Sequence, residues 1–257
     1  MRSTVEEIRH RVSVEDDELA TVVTLPAGKV ANRMVLMLHG GPGGRKDGPA
    51  QLYAKLARQL AELGIASVRF DFRGCGESTG RYRDMTIRRQ VGEMRAVREF
   101  IDARYRPDAW VLIGESFGAT IGLSDLDPAY QSIVLLWPAI WLLDGTFEPY
   151  LHTEHLDEAE REGFFEMDGE QIGLDFLREI QQVVDVSAPL VGLATPVLFI
   201  HGTADREVPF RQSVRAAELV SGAKKVVVID DGDHCLERPH EREIVYHETV
   251  TWISADL

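Results

Sequence analysis

The 257-residue chain has 28 lysines and arginines against 42 aspartates and glutamates, a formal charge of −14, with 44% hydrophobic and 27% charged residues. That acidity argues against nucleic acid and anionic membrane surfaces as partners, since both would repel it. The length suits one large domain or a domain with an insertion, and two cysteines, Cys75 and Cys235, make no disulfide framework.

In chain order, Ile8, His10, Val12 and Val14 alternate with polar residues and 19–25 follow less cleanly, predicting an antiparallel edge ribbon. Residues 34–38 are a continuous apolar run, the pattern of a strand buried on both faces. Residues 50–63 predict a helix with Leu52, Leu56, Leu60 and Leu63 on one stripe, and 65–72 the next strand. Over 86–101, Ile87, Val91, Met94, Val97 and Ile101 recur at helical spacing. Trp110-Val111-Leu112-Ile113 predicts a strand, with a helix from Ser116 and a strand over 133–136 behind it. After an interruption come a strand over 197–201, a helix over 209–220, a strand over 225–229 and a helix from Pro239. Strands alternating with helices predict an α/β fold with a mainly parallel sheet covered on both faces.

The interruption, about 141–193, is too long for a plain connection. Asp168-Gly169 between Phe164-Phe165 and Ile172 predicts a short hairpin, and 174–184 a helix. The expected organisation is a core of 1–140 and 194–257 carrying an inserted cap of 141–193. The stretch Met1-Arg2-Ser3-Thr4-Val5-Glu6-Glu7 lacks the apolar centre of a signal peptide, and no run approaches membrane-spanning length. A cytoplasmic location with reduced thiols is expected. The oligomeric state stays open between monomer and homodimer.

Gly114-Glu115-Ser116-Phe117-Gly118 follows a predicted strand and opens a predicted helix, the pattern of a nucleophile elbow. The glycines leave room for a tight turn that lifts the Ser116 hydroxyl clear of the sheet. A serine hydroxyl needs a base to take its proton, usually a histidine oriented by a carboxylate. Asp205, in His201-Gly202-Thr203-Ala204-Asp205, and His234, in Asp230-Asp231-Gly232-Asp233-His234, each lie just past a predicted strand, in the order Ser, Asp, His. Asp231 and Asp233 stand too near His234 in sequence to reach its far ring nitrogen. Glu115 is read as a side chain on the helix side of the turn, and His201 as a packed turn histidine.

His39-Gly40-Gly41-Pro42-Gly43-Gly44 follows the 34–38 strand. Acyl transfer needs two N–H donors on the developing oxyanion, each worth about 3 kcal/mol when well placed. The N–H groups of Gly41 and Phe117 are the candidates, with His39 an anchor for the loop. Asp71-Phe72-Arg73-Gly74-Cys75-Gly76-Glu77-Ser78 is expected to support that loop through Arg73 and Asp71. Trp137, Ile140, Trp141 and Leu142 are candidate walls of an apolar substrate pocket, and read equally well as core. His152 and His155, or His240 and His247, lack companion ligands, so no metal or other cofactor is expected.

The order of these motifs resembles the α/β-hydrolase superfamily across essentially the whole chain. More narrowly, the His39-Gly40 loop, Asp71 to Gly80, His201 to Asp205 and Asp233-His234-Cys235 are similar to capped bacterial esterases of the cinnamoyl (feruloyl) type. The resemblance implies an eight-stranded, mainly parallel sheet with a small cap inserted after strand 6. It implies cleavage of a small-molecule carboxylic ester through a serine acyl-enzyme. The loop at 39–44 is also similar to that of proline iminopeptidases, which usually carry tryptophan where this chain has Phe117 and a larger cap. Peptidase, thioesterase and acyltransferase chemistries therefore stay open beside the esterase, as does a non-catalytic ligand-binding protein on the same fold.

Overall fold

A computed structural model describes residues 5–27, 32–167 and 169–255. Strand β1 (Glu6–Val14) buries Val12 and half-buries Ile8, His10 and Val14 while the residues between them face solvent, as the alternation requires. It pairs antiparallel with β2 (Asp17–Leu25), register Val14↔Asp17, and β2 pairs antiparallel with β4 (Ala66–Phe70). Every other neighbour in the main sheet is parallel. Strands β3 (Arg33–Leu38), β5 (Ala109–Glu115) and β6 (Tyr130–Leu136) form its centre. Their stretches 34–38, 109–113 and 133–136 are continuous apolar runs because helices cover both faces.

The helices are α1 (Leu52–Glu62), α2 (Ile87–Tyr105) and α3 (Phe117–Ser124). A 3-10 turn, Pro49–Gln51, occupies the first part of the predicted 50–63 helix. Thr86 caps α2, its side chain accepting from the Arg89 N–H at 3.1 Å, and Ile87, Val91, Met94, Val97 and Ile101 are all buried. Beyond β6 come α4 (Thr153–Glu162), the hairpin β7 (Phe164–Met167) and β8 (Glu170–Gly173), and α5 (Leu174–Ile180). The chain then enters β9 (Val197–Gly202), α6 (Arg211–Leu219), β10 (Lys224–Ile229) and α7 (Pro239–Ser254). The main sheet has eight strands in the order β1-β2-β4-β3-β5-β6-β9-β10. This is the α/β-hydrolase arrangement that the resemblance implies.

Helix α4 is absent from the sequence expectation for a physical reason. Leu156 and Ala159 are its only apolar residues, too short a stripe to read from the sequence. The hairpin pairs Phe164↔Gly173 through Met167↔Glu170, with Gly169 at φ 83°; its partner in the turn signal, Asp168, lies outside the described residues, as does the stretch 1–4. The predicted 174–184 helix stops at Ile180. The segment after β6 does not stand off from the sheet. Its Phe147, Tyr150, Phe165, Phe176 and Ile180 belong to the same apolar cluster as Leu36, Leu112 and Phe117. The Glu179 carboxylate of α5 accepts the first N–H groups of α2, from Ile87 and from Arg88 at 3.0 Å, an acid on a helix N-terminus. Among the described residues no helix is long and apolar enough to cross a membrane.

Candidate active site

The turn between β5 and α3 holds Ser116 at φ 48° and ψ −121°, a strained conformation for a residue with a Cβ. Its two flanking glycines are dictated by close approach. A Cβ on Gly114 would stand 2.7 Å from the Ala119 Cα, and one on Gly118 would stand 2.2 Å from the Leu38 carbonyl oxygen. Because backbone supplies both obstacles, Gly118→Ala must push α3 away from β3. We expect it to cost about 1–3 kcal/mol, read as a lower Tm, with Ser116 displaced.

Parallel pairing of β9 with β6 and with β10 brings two loops to the same edge of the sheet as Ser116. His234 Nδ1 lies 2.8 Å from Asp205 Oδ2. His201, fully buried on β9, places its Nε2 3.1 Å from the same oxygen and 2.9 Å from the Val208 carbonyl, so that nitrogen carries the proton. Its Nδ1 then accepts from the Ser213 hydroxyl at 2.7 Å. The other oxygen of Asp205 accepts the N–H groups of Glu207 and Val208, each at 2.9 Å. Burial raises the Asp205 pKa, but hydrogen bonds from His201 and His234 outweigh it and hold the carboxyl well below the usual range. Burial lowers the His234 pKa, but the bond and charge of Asp205, with Glu207 and Glu115, leave it above the ordinary 6.5. His201 is thus the packed histidine the sequence suggests, and it helps to fix the carboxylate. Asp233 is exposed, and Asp231 pairs with Arg238.

Two peptide groups near Ser116 are oriented from behind. His39 Nε2 accepts the Phe72 N–H at 3.1 Å, which leaves Nδ1 protonated to donate to the Gly40 carbonyl at 2.6 Å. Burial lowers the His39 pKa to about 4, so the ring stays neutral in this role. With the Gly40 carbonyl held, the trans peptide turns the Gly41 N–H the opposite way. The Ser116 carbonyl accepts from Ala119 and Ala139, each at 3.1 Å, and this likewise turns the Phe117 N–H away from the helix. Gly40 comes so close to the serine that a Cβ there would lie 3.1 Å from the Ser116 Cβ.

Asp71, fully buried, accepts the Lys46 N–H and Nζ at 2.7 Å each and the Glu77 N–H at 2.8 Å, clamping the far end of the loop. Arg73 departs from expectation. Its guanidinium turns to Glu15, Asp17 and Glu93 and braces the β1–β2 turn instead of the 39–44 loop.

Ser116, His234, Gly40, Gly41 and Trp137 line one cavity of about 680 Å³, a size suited to a small molecule. No hydrogen bond among the described residues joins Ser116 to His234; they share the cavity wall. Phe117 does not line it, since its ring packs edge-on against Phe147 and Phe176. Ile140, Trp141 and Leu142 are also absent from the wall. They are core, because the Gln212 side chain grips the backbone N–H groups of Ile140 and Trp141 at 2.8 and 3.0 Å and turns this stretch inward. The apolar wall comes from Phe147, Pro149, Tyr150 and Met167 of the insertion, and the charged part of the lining from Arg45, Arg206 and Glu207. No motif marks the four insertion residues, since the path of the insertion alone brings them there, whereas Arg45 follows the glycine loop and Arg206 and Glu207 follow Asp205 directly. Glu115, read from the sequence as a side chain on the helix side of the turn, is buried and lines the cavity.

Burial pushes the Cys75 thiol up to about 12, and burial with the charges of Glu115 and Glu207 raises Cys235. Both thiols stay protonated and weakly reactive. The His155 ring stacks on Phe165 at 4.5 Å, and no group of three or more metal-ligating side chains occurs among the described residues.

The sequence pattern of the alpha/beta hydrolase family matches residues 35–244. The chain is 26% identical over 187 residues to a mouse mitochondrial protein, palmitoyl-protein thioesterase ABHD10, covering 67% of this chain and 60% of that protein. It therefore spans less than two thirds of that relative's length. Among solved structures, a putative hydrolase from Agrobacterium vitis S4 superposes with a TM-score of 0.79 at 25% identity, covering 98% of this chain and 100% of the other. Est1E from Butyrivibrio proteoclasticus, solved with ferulic acid bound, superposes at 0.76 and 19% identity, covering 95% and 99%; this second likeness is one of fold.

Proposed function

The chain belongs to the alpha/beta hydrolase family, and we propose that it is a serine hydrolase that cleaves a small carboxylic ester through an acyl-enzyme. The observation that carries this reading is the strained Ser116 turn opening on the same cavity as His234, itself hydrogen-bonded to Asp205. Ser116 Oγ attacks the ester carbonyl as His234 takes its proton. The resulting oxyanion accepts the N–H groups of Gly41 and Phe117. Collapse expels the alcohol, which leaves with the proton from His234. Water, deprotonated by the same imidazole, then releases the acid and restores the serine. Asp205 stays ionised throughout, holding the ring by its Nδ1–H and stabilising the imidazolium.

The segment 141–193 acts as the cap. Its Phe147, Tyr150 and Met167, with Trp137 of the core, offer an aromatic and apolar wall for the acyl or alcohol group. A cinnamoyl-type ester suits that wall. A panel of p-nitrophenyl and cinnamate esters, prolyl amides and acyl thioesters, run on purified protein, tests the reading: ester turnover should exceed amide turnover by orders of magnitude. Thioester cleavage is a second reading, favoured by the likeness to the mouse thioesterase, and a thioester preference in the same panel would select it.

Only neutral His234 can act as base, and its pKa lies above 6.5 in the folded protein. Activity should therefore be lost as pH falls through that raised value. A kcat/KM profile is expected to have its acid limb on the alkaline side of an ordinary histidine; a limb below 6.5 would count against this assignment.

A further inference from the structure

Glu115 is a buried acid that the reaction above leaves unused. It ends β5, directly before the serine, and is 3% exposed. Its Oε1 accepts the Gly40 N–H at 3.2 Å, while its Oε2 is buried with no hydrogen-bond partner among the described residues. A buried carboxylate with only one oxygen hydrogen-bonded is costly to maintain, and here it is tied to the peptide next to a proposed oxyanion donor. Resting on the serine-hydrolase reading, we propose that Glu115 is a positioning residue that tethers the 39–44 loop through Gly40 and acts electrostatically on the His234 base.

The tether acts from the opposite side to His39. His39 holds the Gly40 carbonyl and Glu115 holds the Gly40 N–H, so both peptide planes flanking this residue are set before substrate arrives. Preorganisation of this kind is what makes an oxyanion donor effective.

The charges around Glu115 come from three elements. His234 lies beyond β10, and its charge favours the ionised carboxylate. So does Arg242 of α7, a buried guanidinium whose nearest acid is Glu237 at 4.0 Å. Cys235 and Tyr53 also face it, but burial holds both in their neutral forms, Tyr53 on α1 donating to the Leu38 carbonyl at 2.9 Å. Burial, opposed by the Gly40 bond and these cations, leaves Glu115 at about 7. The carboxylate in turn raises the His234 pKa, beside the larger effects of Asp205 and Glu207. Glu115 and His234 line the same cavity, so the charge of each bears on the protonation of the other.

Two variants separate the two actions. Glu115→Gln keeps the reach and an oxygen acceptor but removes the charge. With that charge gone the His234 pKa falls, and the acid limb of kcat/KM moves to lower pH. Glu115→Asp keeps the charge but withdraws the carboxylate from Gly40; its kcat should fall by roughly tenfold to a hundredfold with KM little changed. Labelling of wild-type Ser116 by a fluorophosphonate is read first. No label overturns the hydrolase reading itself. If the label is present, both variants melt near the wild-type Tm, the acid limb of Glu115→Gln stays in place and Glu115→Asp keeps its kcat, the role of Glu115 is overturned. Should Glu115→Gln fail to fold, the kcat-against-KM split in Glu115→Asp decides alone.

Discussion

Replacing Ser116 with alanine should reduce kcat by at least about 10⁴-fold while leaving fold and substrate binding intact. The magnitude follows from the chemistry: without the hydroxyl no acyl-enzyme forms, and only the oriented N–H donors and the cavity remain to favour direct attack by water. Stability should hold because none of the hydrogen bonds among the described residues uses the Ser116 side chain; its backbone N–H and carbonyl anchor the turn to Leu136, Ala119 and Ala139. Relief of strain does not accompany the change, since alanine meets the same penalty at φ 48°. The measurement is single-turnover and steady-state hydrolysis of a p-nitrophenyl ester, paired with thermal unfolding. Retained turnover in a well-folded variant would end the proposed mechanism.

Asp205→Asn should be nearly as damaging, by about 10⁴-fold in kcat, and should also lower stability. All the partners of this carboxylate donate to it. His201 and His234 converge on one oxygen, and the N–H groups of Glu207 and Val208 converge on the other. An amide presents an NH₂ group to one of these pairs whichever way it turns. If it faces the histidines, His234 loses the acceptor that fixes its tautomer. If it faces the backbone, the Glu207 and Val208 N–H groups meet a donor, and the loop carrying Glu207 must move. Loss of the negative charge also lowers the His234 pKa, because the bond and charge of Asp205 are what raise it against burial. The variant should therefore combine a low kcat with an acid limb shifted to lower pH and a reduced Tm. A variant with wild-type kcat would show that another acid orients the base.

Much of this was legible in the sequence because it was local. The sheet strands announce themselves as apolar runs, since a strand covered on both faces has no polar side to interrupt it. The tight turn at Gly114 to Gly118 demands its glycines wherever the chain goes next. Asp205 and His234 are candidates because of their places just past two strands, and the parallel pairing of β9 and β10 brings those places together. Helix α4 escapes the sequence because Leu156 and Ala159 alone form its apolar face, too short a run to show a period. Ile140, Trp141 and Leu142 stay open in the sequence between pocket wall and core for a different reason. Apolar residues near a site look alike in sequence whether they face a cavity or a core, and here the Gln212 side chain, 71 and 72 residues away, decides the matter.

The same division holds for the acids. The sequence by itself determined the α/β class, the strand-to-helix serine turn and the order of the three polar residues proposed for catalysis, because each follows from local backbone requirements and strand ends. Only the tertiary structure decided that Arg73 braces the first hairpin, that Lys46 and Asp71 clamp the glycine loop, and that Glu115 lies buried against Gly40. Charged side chains choose partners by distance and desolvation in three dimensions, and neither quantity is written in the order of residues along a chain.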